Sequence, residues 1–302
     1  MKVCFVGSGS IGKRHINNLQ KICKEKGISL ETVLLRSSNS PLDGISFDKQ
    51  VFSVEELGEA YDMIFITNPT FLHFDTLKML HDRSDCFFVE KPVFDNTDVD
   101  FSFIAKNKLI YVACPLRHLN VIRNMGKYVD LEKVFSVRSI CSTYLPDWRP
   151  GIDYRQNYSA HADSGGGVRI DLIHEWDYLT ALFGFPDKVY SISSTISELE
   201  IDSEDIAVYI AQDKKRTVEL HLDYFGRLPR RQCELFTNDY VYTVDLINYI
   251  IKRNNDIIYE EKEEPNDKYI REMEYFLELV SGKVENINDI DNAVRVMRLA
   301  AM

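Results

Sequence analysis

The chain has 302 residues and a formal net charge of −11 at pH 7, with 45% hydrophobic and 27% charged residues. This balance is typical of a globular protein and excludes a disordered one, and the acidic charge argues against general nucleic-acid binding, which needs a basic surface. No apolar run approaches the roughly 18 residues of a membrane span, and the start MKVCFVGSG lacks a signal-peptide pattern, so we expect a cytoplasmic protein with no membrane partner.

Short apolar runs alternate with helical patterns in the first part of the chain. The predicted strands are residues 3–6, 33–35, 63–67, 87–90 and 109–114, and the predicted helices include 14–26, 74–81 and 99–107. Strands that alternate with helices form βαβ units, and hence a parallel sheet with helices on both faces. The sequence therefore predicts a Rossmann dinucleotide-binding domain over residues 1–117.

A glycine-rich turn follows the first predicted strand and opens a helix. It reads Gly7-Ser8-Gly9-Ser10-Ile11-Gly12. The first glycine permits a tight turn, the second lets the backbone approach a pyrophosphate, and the third allows the helix to pack closely on the strand. A bare GxGxxG also occurs in ordinary turns, but this position between strand and helix predicts that the turn binds a dinucleotide.

The end of the second strand bears on the choice between NAD and NADP. An acidic residue about 20 positions beyond the glycine turn would bond the ribose 2′-hydroxyl and repel a 2′-phosphate. The chain has Arg36-Ser37-Ser38 there, and a guanidinium with two hydroxyls can cradle a phosphate. These residues favour NADP, with NAD and a plain solvated turn as the alternatives.

Two more strand ends carry polar groups. The strand 63–67 ends in Thr67-Asn68-Pro69 with His73 just beyond, and such a turn at the carboxyl end of a parallel strand borders the ligand crevice. The strand 87–90 ends in Glu90-Lys91-Pro92, where charges are costly unless they are solvated or functional, and Pro92 favours an extended backbone at Lys91. We predict that these residues belong to the cofactor site. The alternative for Glu90 and Lys91 is a structural salt bridge.

After Arg117 the pattern changes to strand-like segments. They are residues 133–144, 188–196, 205–212, 217–225, 232–236, 240–245 and 257–260, and helices are predicted at 166–182, 267–281 and 289–301. In 217–225 apolar and polar residues alternate, which indicates an antiparallel sheet with one buried face. We expect a second α/β domain over residues 118–302 with a large, mainly antiparallel open sheet, and a last helix able to pack back on the first domain.

An aromatic and cationic loop, residues 144–155, precedes the helix predicted at 166–182. Trp148 and Tyr154 could stack on a sugar face, and Arg149 or Arg155 could hold a carboxylate or phosphate by paired hydrogen bonds. The loop therefore predicts a wall of the substrate crevice. The alternative is a surface loop that Trp148 anchors in the core.

The helix predicted at 166–182 follows Gly165-Gly166-Gly167 and carries an acid and an imidazole. Because residues three and four apart share a helix face, Asp171, His174 and Tyr178 are expected to face one cleft. Oxidation of a carbinol requires a group that takes the hydroxyl proton near neutral pH, and His174 suits this role, as does a desolvated Lys91. A lone helical histidine is more often structural, so both roles remain open at this point.

A metal site is not expected. The pair His174-Glu175 lacks the second histidine of an HExxH site, and the six cysteines fall singly with no CxxC pair.

Taken together, these motifs resemble the glucose–fructose oxidoreductase / inositol dehydrogenase / MocA (Gfo/Idh/MocA) family. The matching segments are Gly7–Gly12, residues 67–73, Glu90-Lys91-Pro92, and the run from Gly165 through Asp171 to His174. The resemblance implies a Rossmann domain followed by an α/β domain whose open sheet often forms a subunit interface, and hence a homodimer or homotetramer. It also implies that Lys91 is the catalytic lysine beside the nicotinamide.

Two details of the resemblance concern the chemistry. The family commonly places four steps between the acid and the histidine, whereas Asp171 and His174 are three apart, so which of them assists Lys91 stays open. The loop 144–155 is similar to that of members associated with bacterial surface-polysaccharide biosynthesis, which implies an acidic or nucleotide-linked sugar.

The sequence thus predicts an NAD(P)-dependent oxidoreductase that transfers a hydride between nicotinamide and a hydroxyl or carbonyl carbon of a sugar-like substrate. The candidate substrate-binding residues are Arg117, Trp148, Arg149, Tyr154, Arg155 and Tyr178. Two alternatives are an NAD-dependent glycosidase that transiently oxidises a ring carbon and keeps its NAD bound, and a non-catalytic cofactor-binding sensor or assembly protein.

Overall fold

A computed structural model describes residues 1–302, which form two compact units. The first unit comprises Met1–Pro115 and Asn266–Val294, and the second comprises Leu116–Pro265 and Arg295–Met302. The segment 266–294 is thus grouped with the first unit, whereas the sequence-based division put everything after residue 117 in the second domain. No helix has the length and apolar character required to cross a membrane.

The regular elements are as follows. The strands are β1 (Lys2–Val6), β2 (Glu31–Leu35), β3 (Lys49–Val51), β4 (Met63–Ile66), β5 (Cys86–Val89), β6 (Leu109–Val112), β7 (Ser136–Tyr144), β8 (Lys188–Ser194), β9 (Ile206–Gln212), β10 (Thr217–Asp223), β11 (Phe225–Phe236), β12 (Val241–Asp245), β13 (Ile250–Arg253) and β14 (Asp256–Glu260). The helices are α1 (Ser10–Glu25), α2 (His73–Leu80), α3 (Asn120–Arg123), α4 (Met125–Tyr128), α5 (Val168–Asp171), α6 (His174–Phe183), α7 (Asp267–Val280) and α8 (Ile290–Ala300).

The first unit is built on a six-stranded parallel sheet in the order β3-β2-β1-β4-β5-β6. The apolar runs of β1 and β4 are buried, as expected of parallel strands. The direction of strand order reverses between β1 and β4, and open sheets of this kind bind ligands beyond the carboxyl ends of their strands at such a point. The sheet therefore places the glycine turn, which follows β1, at the expected ligand position.

Helix α7 belongs to the core of the first unit although it lies late in the sequence. Its Phe276 ring packs edge-on against Phe65 and Phe88, with centroids 5.6 and 5.2 Å away. Met273, one turn earlier, is fully buried in the same cluster. These apolar contacts, spaced three residues apart on one helix face, explain why the segment joins the first unit.

One helix predicted in this unit is absent. Residues 99–107 form turns instead of a helix. Asn96 and Asp100 explain the difference, because their side chains accept hydrogen bonds from the backbone N–H groups of Asp98 and Ser102, both at 2.9 Å. Such local side-chain bonds compete with a helix for the same donors.

The second unit is built on an eight-stranded sheet in the order β14-β13-β12-β11-β7-β10-β9-β8. Only the β7–β10 pair is parallel, so the prediction of a mainly antiparallel sheet is confirmed. Val218, Leu220 and Leu222 of β10 are buried, as their alternation predicted. Helix α6 covers this face, where Trp176 packs edge-on against Tyr209 at 5.4 Å.

The parallel pair requires a crossover connection. After β7 the chain runs through residues 145–187, which include α5 and α6, to β8 at the edge of the sheet. It then returns through β9 to β10 beside β7. The aromatic loop and the glycine-rich segment therefore both lie within this one connection.

Candidate active site

Each of the three glycines in the turn after β1 meets a different structural requirement. A Cβ on Gly7, whose φ is +94°, would lie 2.7 Å from the Asn68 nitrogen, and a Cβ on Gly12 would lie 2.7 Å from the Gly7 oxygen and the Thr67 Oγ1. Gly7 and Gly12 thus allow the turn, α1 and the end of β4 to meet. A Cβ on Gly9 would meet nothing within 4 Å. The N-terminus of α1 is consequently open to a phosphate at Gly9, which fits a dinucleotide.

Arg36 lies at the carboxyl end of β2 and is buried. Its Nη2 donates to Ser40 Oγ at 2.9 Å and to Ser38 Oγ at 3.3 Å. Ser37 is exposed. No carboxylate lies within ion-pair distance of the guanidinium, and a buried cation without a counter-ion is costly unless a ligand supplies one.

The turn after β4 is held by hydrogen bonds from both sides. Thr67 Oγ1 donates to the Val6 and Gly7 carbonyls at 2.9 and 3.2 Å. Asn68 Nδ2 donates to Thr76 Oγ1 at 2.8 Å, while Asn68 Oδ1 is buried without a hydrogen-bond partner. An unsatisfied buried acceptor next to the glycine turn is available to a donor on a bound cofactor.

His73 is fully buried, and its ring holds two neighbouring turns together. Its Nε2 lies 2.9 Å from the Asn68 carbonyl oxygen and its Nδ1 lies 3.1 Å from the Pro92 carbonyl oxygen. Burial lowers the pKa of His73, although these carbonyls oppose the shift. The neutral ring links the turn after β4 to the turn after β5, and Pro69, Phe71 and Leu72 are exposed in this stretch.

Glu90 and Lys91 follow β5, and Glu90 is joined to a residue that sequence analysis did not single out. Glu90 Oε1 lies 2.6 Å from His15 Nε2, and both side chains are buried. Glu90 Oε2 accepts the backbone N–H of Lys91 at 3.1 Å. Burial alone would raise the pKa of Glu90, but the hydrogen bond and charge of His15, with the charge of Lys91, lower it overall. Lys91 is partly exposed, and the Lys91–Pro92 peptide bond is cis.

In the second unit, the glycine run before α5 has a packing role. A Cβ on Gly166 would lie 2.2 Å from the Tyr158 carbonyl oxygen, and Gly167, with φ +128°, lies against the Glu204 carboxylate. Side chains at these positions would collide with backbone or with this acid. The run therefore fixes the loop containing Tyr158 against the start of α5.

The single helix predicted over residues 166–182 is wrong. Helix α5 ends at Asp171, Leu172 has φ −97° and ψ +20°, and α6 begins at His174. Asp171 is buried and His174 is partly exposed. Asp171 and His174 therefore do not lie on one face of a continuous helix, because a break separates them.

Asp171 receives two tyrosine hydroxyls that sequence analysis missed. Tyr158 donates to Oδ1 at 2.7 Å and Tyr224 to Oδ2 at 2.6 Å. Burial and the Asp171 carboxylate raise the pKa of both tyrosines, so they stay protonated and act as donors. Neither tyrosine belongs to a recognisable sequence motif. The sequence signal for them is limited to the many aromatic residues near the loop 144–155 and after β10.

Two residues predicted to contact substrate are core residues of the second unit. The Tyr178 side chain is fully buried and its hydroxyl lies 3.0 Å from Ser139 Oγ. Arg117 forms a largely buried pair with Asp177, donating from Nε at 3.0 Å and from Nη2 at 2.7 Å. We therefore leave both out of the substrate site.

The aromatic loop separates into anchors and exposed groups. Trp148 Nε1 donates to Thr143 Oγ1 at 2.7 Å, and its ring packs edge-on against Tyr224 at 5.4 Å. Tyr154 accepts from the backbone N–H of Glu200 through its hydroxyl at 3.1 Å. These two rings are thus structural anchors of the loop.

The cations of the loop differ in their partners. Arg155 pairs with Asp153 and Glu200, at 2.8 and 2.9 Å. Arg149 is exposed, has no carboxylate within ion-pair distance, and lies 6.0 Å from the centroid of the Tyr158 ring. Arg149 is therefore the loop cation that remains available to an anionic ligand.

Comparison with known proteins identifies the first unit. Residues 1–101 match the model of the Gfo/Idh/MocA oxidoreductase family, described as an NAD-binding Rossmann fold. The match confirms the family resemblance and the oxidoreductase assignment made from the sequence, and it ends before the second unit begins. No curated protein sequence matches the chain significantly.

Solved structures resemble the chain over nearly its whole length. UDP-N-acetylglucosamine 3-dehydrogenase GnnA from Acidithiobacillus ferrooxidans has a TM-score of 0.76 at 17% identity, covering 100% of this chain and 95% of its own. The WlbA dehydrogenase from Bordetella pertussis, in complex with NADH and UDP-GlcNAcA, has a TM-score of 0.77 at 15% identity, with 100% and 93% covered. An oxidoreductase from Thermotoga maritima has a TM-score of 0.81 at 14% identity, with 99% and 94% covered. At these identities the likeness shows a common fold.

Proposed function

The N-terminal domain of this chain belongs to the Gfo/Idh/MocA family of NAD-binding oxidoreductases, and on that premise we propose that the protein transfers a hydride between NADP(H) and a hydroxyl-bearing carbon of an anionic, sugar-like substrate. The observation that carries the proposal is the open glycine turn after β1 together with the buried Glu90 that precedes Lys91 at the end of β5. Both lie at the carboxyl edge of the parallel sheet, where such folds bind dinucleotides.

The reaction needs a proton transfer beside the hydride. A bound nicotinamide supplies or accepts the hydride. The chain then has to exchange a proton with the substrate oxygen, and we assign this step to the Lys91 amine, in the direction that the substrate requires. Two tyrosine hydroxyls fix the carboxylate of Asp171, each using one lone pair of an oxygen, so we assign Asp171 to orienting the substrate through the remaining lone pairs. The partly exposed His174 is assigned to assisting the proton transfer.

The proposed preference for NADP rests on Arg36. Its guanidinium is buried, bonds only hydroxyls, and has no acidic counter-ion within ion-pair distance. An anion such as a ribose 2′-phosphate would supply that counter-ion and would accept charge-assisted bonds from Arg36.

The substrate class rests on Arg149 and Tyr158. The Tyr158 ring is 46% exposed, and its orientation is fixed by the hydroxyl bond to Asp171. A fixed aromatic face suits the apolar face of a sugar, and Arg149 alongside suits a carboxylate or phosphate. Two proteins of similar fold, UDP-N-acetylglucosamine 3-dehydrogenase GnnA and the WlbA dehydrogenase in complex with NADH and UDP-GlcNAcA, support this class. We further propose that the enzyme acts in the biosynthesis of bacterial surface polysaccharides.

We also propose a homodimer or homotetramer formed through the sheet of the second unit. Its outer face carries an apolar stripe in which Tyr190 faces Ile210 across β8 and β9 and Ile192 faces Val208. Tyr190 and Ile192 are 72% and 74% exposed. An exposed apolar patch of this kind is typical of an interaction surface.

The test of the function is Lys91→Met. We expect turnover to fall by about 100-fold or more, while NADPH binding, followed by fluorescence, is largely kept. The substrate panel pairs D-glucose and myo-inositol with D-glucuronate, UDP-N-acetylglucosamine and UDP-GlcNAcA. Lys106→Met, which changes an exposed lysine of the same unit, is the matched control and should behave as wild type.

Other outcomes point elsewhere. Undiminished turnover by Lys91→Met would contradict the proposed role of the lysine. Cleavage of glycosides with no net change in the bound dinucleotide would indicate the redox-assisted glycosidase. Dinucleotide binding without turnover on any member of the panel would favour the sensor.

A further inference from the structure

One buried contact joins the helix of the glycine turn to the residue before Lys91. His15 lies on α1, one turn beyond Gly12, and its side chain is fully buried. Its Nε2 is 2.6 Å from Glu90 Oε1, between residues 75 positions apart in the sequence. The roles proposed above for the glycine turn and for Lys91 do not involve this histidine.

The carboxylate of Glu90 holds two parts of the unit at once. While Oε1 faces His15, Oε2 accepts the backbone N–H of Lys91 at 3.1 Å. The helix whose N-terminus receives the dinucleotide phosphates is thereby linked, through one side chain, to the main chain of the lysine. A shift of α1 against β5 would break one of the two bonds.

The two ring nitrogens of His15 differ in their partners. A carboxylate oxygen only accepts, so Nε2 carries the hydrogen that it donates. The other nitrogen, Nδ1, is buried without a hydrogen-bond partner. His15 thus contacts Glu90 through one nitrogen only, and the second oxygen of the carboxylate stays directed to Lys91.

Two further ionisable groups of this unit interact with Glu90 and carry no charge themselves. His73 is kept neutral because burial lowers its pKa. Tyr269 of α7 stays protonated because burial and the charge of Glu90 raise its pKa. Arg14 is a cation, but it stacks over the Tyr269 ring at 4.4 Å. The cation adjacent to Glu90 in the sequence is Lys91.

We propose that Glu90 and His15 are positioning residues: Glu90 fixes the main chain of Lys91 and stabilises its ammonium form, and His15 ties this carboxylate to the helix that receives the dinucleotide phosphates. The proposal rests on the proposed function only in giving Lys91 a role, and its test requires no substrate.

The first test measures the amine of Lys91 directly. Brief acetylation across a pH series, read by mass spectrometry on the Lys91 peptide, gives the midpoint at which the amine becomes reactive. In Glu90→Gln, which keeps the shape but loses the charge, we expect the midpoint to fall by about one pH unit. At a fixed pH below the midpoint this is about a tenfold faster reaction. Lys106, read in the same digests, should not change.

The second test separates the link from general folding. His15→Gln retains a donor that can reach Glu90, and His15→Leu removes it. We expect His15→Leu to weaken NADPH binding by roughly fivefold or more and to move the Lys91 midpoint, and we expect His15→Gln to behave close to wild type on both measures.

Two results would overturn the proposal. One is an unchanged Lys91 midpoint in Glu90→Gln, whose folding is checked by its thermal unfolding. The other is a folded His15→Leu protein with wild-type NADPH affinity and midpoint. If His15→Leu does not fold, His15→Gln and Glu90→Gln still decide. An inactive enzyme with the expected midpoints would contradict the proposed function alone.

Discussion

Arg36 is a buried cation whose partners are hydroxyls, and this single residue determines the expected cofactor preference. We predict that Arg36→Ala weakens NADPH binding by about tenfold or more, because charge-assisted bonds to a phosphate contribute roughly 1.5–3 kcal/mol. NADH binding should change little. Fluorescence titration of both dinucleotides measures the effect, with Ser37→Ala as the matched control. An equal loss for NADPH and NADH would contradict a 2′-phosphate site.

Tyr158 combines an exposed ring with a hydroxyl fixed on Asp171, so its two parts can be tested apart. We predict that Tyr158→Leu raises KM for an anionic sugar by about tenfold, since a stacked ring contributes on the order of 1 kcal/mol or more. Tyr158→Phe keeps the ring but removes the bond to Asp171, and should lower kcat more than it raises KM. Steady-state kinetics with the substrate found in the panel measures kcat and KM for both variants.

The control for these variants is Tyr154→Phe, at a tyrosine four residues earlier whose hydroxyl accepts the backbone N–H of Glu200. It should leave both constants near their wild-type values. If Tyr158→Leu and Tyr154→Phe had equal effects, the assignment of a substrate face to Tyr158 would fail.

At the scale of elements, α6 carries two buried acids that each meet an arginine. Glu175 pairs with Arg231 at 2.8 Å and Asp177 with Arg117 at 2.7 Å. Burial raises the pKa of both acids, and the arginines oppose this. Helix α6 is therefore attached to its unit by ion pairs whose loss on one side leaves a buried charge.

We predict that Arg117→Ala destabilises the protein by about 3–5 kcal/mol, because it leaves Asp177 buried and unpaired. The double variant Arg117→Met with Asp177→Leu should recover most of this loss. Urea denaturation measures both. A raised KM with an unchanged unfolding transition would instead restore Arg117 as a substrate-binding residue.

The elements that sequence analysis predicted are those whose signal is local. Buried apolar runs gave the parallel strands, and the alternation in β10 gave the half-buried sheet. The failures depend on information that is not periodic. The turns at 99–107 follow from side-chain bonds of Asn96 and Asp100, and no glycine or proline lies at the break between Asp171 and His174 to indicate it.

The candidate site divides in the same way. The glycine turn could be located from its spacing, since its geometry depends on neighbours in sequence. The pairs His15–Glu90 and Arg117–Asp177 join residues 75 and 60 positions apart, and no single-sequence pattern links them. This is why Arg117 was expected at the substrate while His15 went unnoticed.

At the scale of the whole molecule, the apolar stripe on β8 and β9 bears on assembly. We predict that Ile192→Arg dissociates the oligomer, since a charge would be buried in its interface. Analytical ultracentrifugation compares it with Leu228→Arg, which alters a residue that is 76% exposed on β11, away from the stripe. A wild-type protein that is monomeric, or an unchanged mass for Ile192→Arg, would contradict the proposed interface.

The crossover from β7 to β8 has an evolutionary consequence. Arg149, Tyr158, Asp171 and His174 all lie in residues 145–187, whereas the glycine turn, Arg36 and Lys91 lie before β6. If these residues have the proposed roles, recognition of the substrate and choice of the dinucleotide are encoded in two separate stretches of the gene. A graft of the 145–187 stretch from a relative of the same fold could exchange one specificity for another, provided that Tyr224 remains to meet the grafted acid. Recombination could then diversify substrates without disturbing the dinucleotide.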